Sequence, residues 1–366
     1  MMRVAVIGCG FQGRLHVECL QQIPGVEVVA VADTNAARLK EVADRFGVPG
    51  RYIDYLQMLA AGPYDLVTVC TMPVHHAAMT IAALDRGAHV LCEKPLALNA
   101  SEGAAMVATA HRARRILAVG FNMRFTPNAR AISSFIAEGR FGRPIYTRAW
   151  ARASQIPWWG EHYRKEISGG GALAATAVHF LDLALHFAGF PEPVAASANA
   201  ARLFPRKRGA TAPSDQAAAQ FTAEDLISAQ IRFADGFWMS LDGSWIDNRP
   251  SVAGVPSWDY SLDAIGEQAE VWFDPLAIRT EDARGEIVDA LPRGTTSDVS
   301  FPPSVAALIR DVVEAVREER QPLVTGEQAL VVQRIVDAIY ASVEAGREVA
   351  VARPVPPASP ASSPRT

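Results

Sequence analysis

The stretch Arg3-Val4-Ala5-Val6-Ile7-Gly8-Cys9-Gly10-Phe11-Gln12-Gly13 decides the fold of this chain. An apolar run of strand length leads directly into a turn with three glycines, and a helix is expected from there to about Gln22. Gly8 permits the tight turn, Gly10 lets the backbone approach a pyrophosphate, and Gly13 lets the helix pack closely on the strand. The start of the helix then offers free N–H groups and a positive dipole end to phosphates.

An acidic residue follows at the distance that a dinucleotide site requires. A second strand is expected over Val26 to Val31, and Asp33 lies twenty residues beyond Gly13, where a carboxylate accepts the ribose hydroxyls of an adenosine. No arginine directly follows Asp33 to meet a 2′-phosphate, so NAD is favoured over NADP, although Arg38 could reach the site. The order of strand, turn, helix, strand and acid favours a dinucleotide site over a glycine-rich turn in some other α/β protein.

A second decisive stretch is Ala88-His89-Val90-Leu91-Cys92-Glu93-Lys94-Pro95-Leu96. It predicts a short buried strand that delivers Glu93, Lys94 and Pro95 to a sheet edge. Pro95 cannot donate to a sheet ladder and ends the strand, and the carboxyl end of a parallel strand is where open α/β sheets bind ligands. A surface ion pair before a turn is the alternative for an isolated Glu-Lys-Pro.

The pattern of elements divides the chain into two domains and a tail. Strands and helices alternate up to about residue 123, which predicts a doubly wound parallel Rossmann sheet over residues 1–123. Residues 124–350 predict an α+β domain with a large, mainly antiparallel open sheet, built as a meander with a hairpin turn at Ala234-Asp235-Gly236. Gly169-Gly170-Gly171 is expected to open a helix running to Phe187. Residues 351–366, rich in Pro, Ser and Ala, predict a disordered tail.

Composition excludes several other classes of protein. The 366 residues are 49% hydrophobic and 20% charged, with a net charge of −4, so no basic field favours nucleic acid or an anionic membrane surface. The most apolar long stretch, Ala172 to Phe190, contains His179, Asp182 and His186, which argues against a membrane span. The start of the chain leaves no room for a signal peptide, and four cysteines without CxxC spacing indicate reduced core thiols. A cytoplasmic protein is therefore expected.

These motifs together resemble the Gfo/Idh/MocA oxidoreductase family across nearly the whole chain. The matching pieces are Gly8-x-Gly10-x-x-Gly13, Asp33, Thr71, His76, Gly87 to Pro95, Asn122-x-Arg124-Phe125, Gly139-x-x-Gly142, Gly169 to Gly171 with Leu173, His179 and Asp182, and Phe233 to Gly236. The resemblance implies a Rossmann domain joined to an α/β domain whose open sheet commonly forms subunit contacts. A homodimer or homotetramer through that sheet is expected.

The resemblance also implies roles for individual residues. Lys94 would lie near the nicotinamide and stabilise the charge that develops on the reacting oxygen, and His179 would be the general acid/base. The residues implied for cofactor binding are Gly8, Gly10, Phe11, Gln12, Gly13, Asp33, Thr71, Met72, Pro73, His76, Glu93, Lys94 and Asn122. The residues expected at the substrate are Arg124, Trp159, Arg164, Thr176 and His179.

One position departs from the family pattern. The family often has an aspartate four residues before the histidine, and Ala175 stands there in this chain. A methyl group cannot orient an imidazole, so Thr176 and Asp182 are considered as substitutes. His179, Asp182 and His186 could be imagined as metal ligands, but without a recognised ligand motif no metal is predicted.

Some of the candidate substrate residues have a structural alternative. Trp158-Trp159 suits either core packing or stacking on a sugar ring. Arg124 and Arg164 could equally form structural ion pairs.

The sequence thus predicts an NAD(P)-dependent oxidoreductase that moves hydride between nicotinamide and a secondary alcohol or ketone of a sugar, cyclitol or related polyol. Two alternatives remain open. One is an enzyme of the same fold that uses tightly held NAD transiently for elimination or hydrolysis. The other is a non-catalytic sensor that binds the cofactor.

Overall fold

The first sheet follows the predicted alternation of strands and helices. A computed structural model describes residues 1–204, 212–247, 258–292 and 294–353. The elements of the first half are β1 (Met2–Ile7), α1 (Phe11–Gln21), β2 (Val26–Ala32), α2 (Ala36–Phe46), β3 (Gly50–Tyr52), α3 (Tyr55–Ala60), β4 (Leu66–Val69), α4 (His76–Asp85), β5 (His89–Cys92), α5 (Ala100–Ala113) and β6 (Leu117–Val119). Six strands pair in parallel in the order β3-β2-β1-β4-β5-β6. The predicted Rossmann sheet is confirmed.

The strand order places the two decisive stretches at one edge of this sheet. The chain moves outward from β1 to β2 and β3, then returns to the other side of β1 with β4, so β1 and β4 flank the point where the order reverses. The glycine turn follows β1 and Lys94 follows β5, both at the carboxyl ends of strands. Ligands of open α/β sheets bind in the crevice at that reversal.

The second half forms a nine-stranded sheet covered by helices. Its elements are α6 (Pro127–Ala137), β7 (Pro144–Ala153), α7 (Lys165–Ser168), α8 (Val178–Ala188), β8 (Pro193–Ala201), α9 (Asp215–Ala219), β9 (Leu226–Phe233), β10 (Trp238–Ser244), β11 (Trp258–Gly266), β12 (Ala269–Trp272), β13 (Ala277–Glu281), β14 (Ile287–Asp289), α10 (Phe301–Glu318), α11 (Gly326–Ala345) and β15 (Val349–Ala350). The order is β14-β13-β12-β11-β7-β10-β9-β8-β15.

The expected antiparallel character is confirmed, but the expected simple meander is wrong. The hairpin at residues 234–236 joins β9 and β10, with Gly236 at φ +88°. However, β7 lies between β10 and β11 and runs parallel to β10. Turn residues specify which consecutive strands pair, whereas the insertion of an earlier strand between later ones depends on tertiary packing.

The helix after the triple glycine also differs from the prediction. Residues Ala172–Ala177 form a π-helical segment, and regular α-helix begins only at Val178. The stretch Lys165–Ala188 has the length and composition of a membrane span, yet 78% of its most apolar window is buried inside the protein. Packing in the core accounts for its apolar character.

The C-terminal helices return to the first domain and fix the two sheets relative to each other. Helix α10 packs against α1, and α11 packs against both β8 and α5. Ala118 of β6 forms a β-bridge with Thr325 at the start of α11. Of the predicted tail, Val351 is buried and hydrogen-bonds to Val194, so order extends past residue 350; residues 354–366 lie outside the described part of the chain.

Candidate active site at the seam of the two domains

The glycine turn is shaped to receive phosphate groups. Gly8 has φ +95°, and a Cβ on Gly13 would lie 1.7 Å from the carbonyl oxygen of Gly8. A Cβ on Gly10 would meet nothing within 4 Å, so this position faces open space. Helix α1 begins without a side-chain cap, which leaves the N–H groups at Phe11 and Gln12 free for an anion. These residues fit the pyrophosphate of a dinucleotide.

Asp33 lies beside this turn, and its carboxylate is held by backbone N–H groups and by Arg38. Its carboxylate accepts hydrogen bonds from the backbone N–H of Cys9 and of Asn35, each at 2.8 Å. Arg38 forms an ion pair with it, with Nε 3.2 Å from Oδ2. The amide contacts hold the carboxylate at the end of β2, where adenosine ribose hydroxyls would reach it. Arg38 is half exposed and already engaged by Asp33.

Glu93 forms hydrogen bonds within the protein, and the direct cofactor contact predicted for it stays a prediction. Its carboxylate is buried and lies 3.0 Å from His16 Nε2 and 3.3 Å from Gln12 Nε2. Burial alone would raise the pKa of Glu93. The hydrogen bond with His16 and the charges of His16 and Lys94 outweigh this effect and hold the pKa of Glu93 below its usual range. Burial lowers the pKa of His16, but the interactions of its ring with Cys70 and Glu93 outweigh burial and raise this pKa to about 10. Glu93 therefore links the Lys94 loop to the helix that begins at the glycine turn.

His76 also forms its hydrogen bonds within the protein, and the cofactor contact predicted for it stays a prediction. It is fully buried, and its ring nitrogens lie 2.8 Å from the carbonyl oxygen of Pro95 and 3.0 Å from that of Thr71. It thereby ties the loop after β4, which carries Thr71, Met72 and Pro73, to the loop that carries Lys94. The prediction that the loop itself lies at the nicotinamide stays a prediction.

Lys94 and His179 are brought together from the two domains. Lys94 Nζ donates a hydrogen bond of 2.7 Å to the carbonyl oxygen of Ala175, one turn before His179. Burial lowers the pKa of Lys94, although the charge of Glu93 opposes this. Burial and the nearby charge of Lys94 lower the pKa of His179 well below its ordinary value. The site therefore holds a neutral imidazole beside a partly buried amine.

Neither residue considered as a substitute for the missing aspartate contacts His179. Thr176 Oγ1 accepts a hydrogen bond from Trp245 Nε1 at 2.9 Å. Asp182 pairs with Arg124, whose Nε lies 2.8 Å from Oδ2. Within the described residues, His179 Nδ1 is buried and has no hydrogen-bond partner. The prediction that Thr176 or Asp182 orients the imidazole is wrong because both are used in packing the domain.

Arg124 is wrongly predicted as a substrate residue. Its side chain is fully buried, and it also donates to the carbonyl oxygen of Leu323 and to Gln328 Oε1. Its guanidinium is thus enclosed by protein and serves as the structural ion pair considered as the alternative.

Two further predicted site residues, Asn122 and Arg164, have partners within the protein, whereas Trp159 is more than half exposed and its predicted contact with substrate stays a prediction. Asn122 is buried, and its Nδ2 donates to Ser304 Oγ at 2.6 Å. Arg164 pairs with Glu161 and Glu166. Trp159 is 54% exposed, whereas its neighbour Trp158 packs in an aromatic cluster with Tyr163, Phe204 and Phe221.

Tyr340 and Glu224 lie so close to the triple glycine that two of its positions have no room for a side chain. A Cβ on Gly170 would lie 1.7 Å from Tyr340 Oη, and one on Gly171 would lie 1.8 Å from the carbonyl oxygen of Glu224. The buried carboxylate of Glu224 accepts hydrogen bonds from the N–H of Gly171 and of Leu173, and from Tyr340 Oη. Glu224 thus fixes the segment that carries Ala175 and His179, and no local pattern in the sequence signals it.

His162 is the other residue of the site that the predictions omitted. It follows the Trp159–Glu161 turn, and burial together with the charge of Lys94 lowers its pKa to about 4. Its Nδ1, like that of His179, is buried without a partner among the described residues. Two neutral imidazoles therefore lie within electrostatic reach of Lys94.

The fold and this site define an NAD-dependent oxidoreductase of two domains. Residues 2–121 match the family model for the NAD-binding Rossmann fold of the oxidoreductase family, and residues 134–351 match the model for its C-terminal alpha/beta domain. The chain belongs to the Gfo/Idh/MocA family.

Several relatives are similar over nearly the whole chain. D-glucoside 3-dehydrogenase of Escherichia coli (strain K12) is 28% identical, with 95% of this chain and 97% of that protein covered. Inositol 2-dehydrogenase of Rhizobium meliloti (strain 1021) is 26% identical, with 96% and 99% covered. The solved structure of levoglucosan dehydrogenase in complex with NADH and levoglucosan has a TM-score of 0.81 at 23% identity, covering 96% and 100% of the two chains. That last likeness is one of fold.

Proposed function

We propose that this protein is a dehydrogenase or reductase that moves hydride between nicotinamide and a secondary alcohol or ketone of a sugar, cyclitol or related polyol. The observation that carries the proposal is the meeting of Lys94 and His179 across the domain seam. Alcohol oxidation requires a base that accepts the hydroxyl proton and a donor that stabilises the negative charge on the oxygen. An imidazole and an amine at the carboxyl edge of a dinucleotide-binding sheet supply these two groups. The sugar and inositol substrates named for its relatives support the substrate class.

The chemistry divides between the two side chains. NAD, when bound along the glycine turn and Asp33, supplies the acceptor for the hydride. In the oxidation direction His179 is neutral and accepts the hydroxyl proton through Nε2, because its Nδ1 is buried. Lys94 donates a hydrogen bond to the same oxygen and stabilises the negative charge that develops there. In the reverse direction His179 returns the proton to the carbonyl oxygen.

The proposal is tested by measuring NADH formation with methyl β-D-glucoside, levoglucosan, myo-inositol and D-apiose. We expect at least one to reduce NAD, and Lys94→Met to remove turnover while leaving NAD affinity within about twofold, since the glycine turn and Asp33 are untouched. Full turnover in that variant would exclude Lys94 from the mechanism. Consumption of a sugar with no net change in nicotinamide absorbance would replace the proposal with transient redox chemistry.

We also propose that the outer face of the second sheet forms a contact between copies of this chain. Tyr146 lies directly opposite Trp238 on one neighbouring strand and Ile265 on the other. Trp238 and Ile265 are both exposed, and the Tyr146 and Trp238 rings are 4.1 Å apart. Light scattering on wild type and Trp238→Glu tests this: we expect a dimer or tetramer that the charge dissociates, and a monomeric wild type would contradict it.

A further inference from the structure

The carboxylate of Glu224 caps the helical segment that leads to His179. Glu224 lies just before β9, and it is buried. Its Oε2 accepts the backbone N–H of Gly171 at 2.8 Å, and its Oε1 accepts that of Leu173 at 3.0 Å. The carbonyl oxygen of Glu224 accepts the intervening N–H, that of Ala172, also at 3.0 Å. Glu224 therefore satisfies three successive N–H groups that a helix cannot bond within itself.

The surroundings of this side chain suit an ionised carboxylate. The Tyr340 hydroxyl donates a third hydrogen bond to the carboxylate, at 3.0 Å from Oε1. Burial raises the pKa of Glu224, but the hydrogen bonds from Leu173 and Gly171 oppose that effect. A carboxylate offers only acceptors to these three donors, and its negative charge lies at the positive end of the helix dipole. A neutral amide at this position would turn an N–H group toward a donor.

The same helical segment holds the amine of Lys94. Lys94 Nζ donates to the carbonyl oxygen of Ala175 at 2.7 Å, and the N–H of Ala175 donates to the carbonyl oxygen of Gly171 at 2.9 Å. A Cβ on Gly171 would lie 1.8 Å from the carbonyl oxygen of Glu224, so the two backbones are in direct contact. An unbroken series of contacts therefore connects Glu224, in the second domain, with the amine that follows β5.

We propose that Glu224 is a positioning residue for the reaction. By capping the helical segment it fixes the carbonyl oxygen of Ala175, and this oxygen fixes the Lys94 amine against the substrate oxygen. Without the cap the first turn would shift, and an amine displaced from the reacting oxygen stabilises its developing charge less well. This inference rests on the proposed function and adds to it a residue that acts only through another.

Asp225 provides a matched control because it is the neighbouring residue and has the same chemistry. Its carboxylate is fully buried and accepts the backbone N–H groups of Leu203 and Phe204, not those of the helical segment. Replacement of either carboxylate by its amide keeps the shape of the side chain and removes a buried acceptor. A role confined to stability would therefore give Glu224→Gln and Asp225→Asn the same effects.

The kinetic test compares wild type, Glu224→Gln and Asp225→Asn, each with whichever of the four compounds reduces NAD. We expect the kcat of Glu224→Gln to fall about 100-fold, because a misplacement of about 1 Å has that effect, while its NAD affinity stays near the wild-type value. Asp225→Asn should keep a kcat near that of wild type. Urea unfolding is measured on both variants, so that their kcat values are compared at known stability.

A measurement on Lys94 itself separates this inference from the proposed function. The rate at which acetic anhydride modifies Lys94 is followed at fixed pH by mass spectrometry, with the exposed Lys40 as the internal reference. The hydrogen bond to Ala175 favours the ammonium form, which does not react, so its loss should raise the rate about tenfold, the effect of one unit of pKa. We expect that rise in Glu224→Gln and not in Asp225→Asn.

Each outcome of the two measurements decides one or both proposals. If Glu224→Gln does not fold, Tyr340→Phe replaces it, because this variant removes one donor and no charge, and a smaller change in the same direction is expected. Equal kcat values for Glu224→Gln and Asp225→Asn, or an unchanged rate of Lys94 acylation, would overturn the inference and leave the proposed function standing. The expected acylation rates without turnover of any compound would overturn the proposed function alone. Neither turnover nor a change in acylation would overturn both.

Discussion

Lys94 Nζ and the carbonyl oxygen of Ala175 are 2.7 Å apart, and this hydrogen bond crosses from the first domain to the second. It engages one of the three N–H donors of the ammonium group and leaves two for a substrate oxygen. The same contact sets the amine one turn away from His179. The catalytic geometry therefore depends on how the π-helical segment Ala172–Ala177 is seated, since Ala175 lies within it.

Replacing Ala175 with aspartate should change the protonation of His179. A carboxylate on the same turn would oppose the charge of Lys94, which now helps to lower the pKa of His179. We expect Ala175→Asp to move the acid limb of kcat/KM upward by about one pH unit, the size of shift that a nearby opposite charge causes. Ala175→Asn has nearly the same shape without the charge. An equal displacement in both variants would show that shape and not charge is responsible.

The wild-type enzyme should have a broad pH plateau for alcohol oxidation. His179 must be neutral to accept a proton, and its pKa is lowered, so activity should fall only as the pH drops through a value below 6.5. Lys94 must keep its charge, and its pKa is lowered from 10.5, so the alkaline limb should come below that value. The measurement is kcat/KM from pH 5 to 10, with the stability of the protein checked at each end. An acid limb at or above pH 6.5 would contradict the neutral imidazole.

Cofactor preference should depend on Asp33 and Arg38 as a pair. Asp33 holds Arg38 in an ion pair, so this guanidinium is not free to bind a 2′-phosphate. We expect wild type to favour NAD over NADP, and Asp33→Ser to lower kcat/KM for NAD about tenfold or more while raising it for NADP, because Arg38 is released. Asp33→Ser combined with Arg38→Ala is the matched control and should lose the gain with NADP. A gain that persists in the double variant would exclude Arg38.

Much of this architecture is encoded in local patterns, and the remainder arises from long-range packing. The glycine turn and the Glu93-Lys94-Pro95 strand end directly follow the strands that predict them, and Asp33 is recognised by its fixed distance of twenty residues from Gly13. Asp182 and Arg124, by contrast, are 58 residues apart, and an arginine in a conspicuous motif carries no sign of whether it faces solvent or a carboxylate.

Glu224 and His162 are likewise residues of the active site whose contacts cannot be predicted from the sequence near them. Glu224 is 53 residues from the glycine whose N–H it accepts, and it stands in no motif. His162 acquires its importance only when the Trp159–Glu161 turn is folded against Met72. The insertion of β7 beside β10 likewise has no signal in the turns that join the other strands.

Small residues at the triple glycine should be required for folding. A Cβ on Gly171 would overlap the backbone of Glu224, and one on Gly170 would overlap the Tyr340 ring. We expect Gly171→Ala to lower the free energy of unfolding by about 2 to 4 kcal/mol, because the opposing backbone cannot move away. Gly10→Ala is the control: Gly10, like Gly171, has a negative φ, but a Cβ there would meet nothing within 4 Å, so this variant should change the free energy of unfolding by less than about 1 kcal/mol. Equal losses in urea unfolding would contradict the steric explanation.

The buried ion pair of Arg124 and Asp182 should govern stability and not substrate affinity. Arg124→Met leaves an uncompensated carboxylate in the core, where burial already raises the pKa of Asp182, so we expect a loss of about 3 to 5 kcal/mol. Asp182→Leu should cost a comparable amount because it strands the guanidinium. The double variant should lose much less than the sum, since neither charge then remains unpaired. Urea unfolding measures the three variants, and the folded double variant is assayed with the compound that reduces NAD. A KM near the wild-type value is expected there, whereas a rise of tenfold or more would return Arg124 to the substrate site.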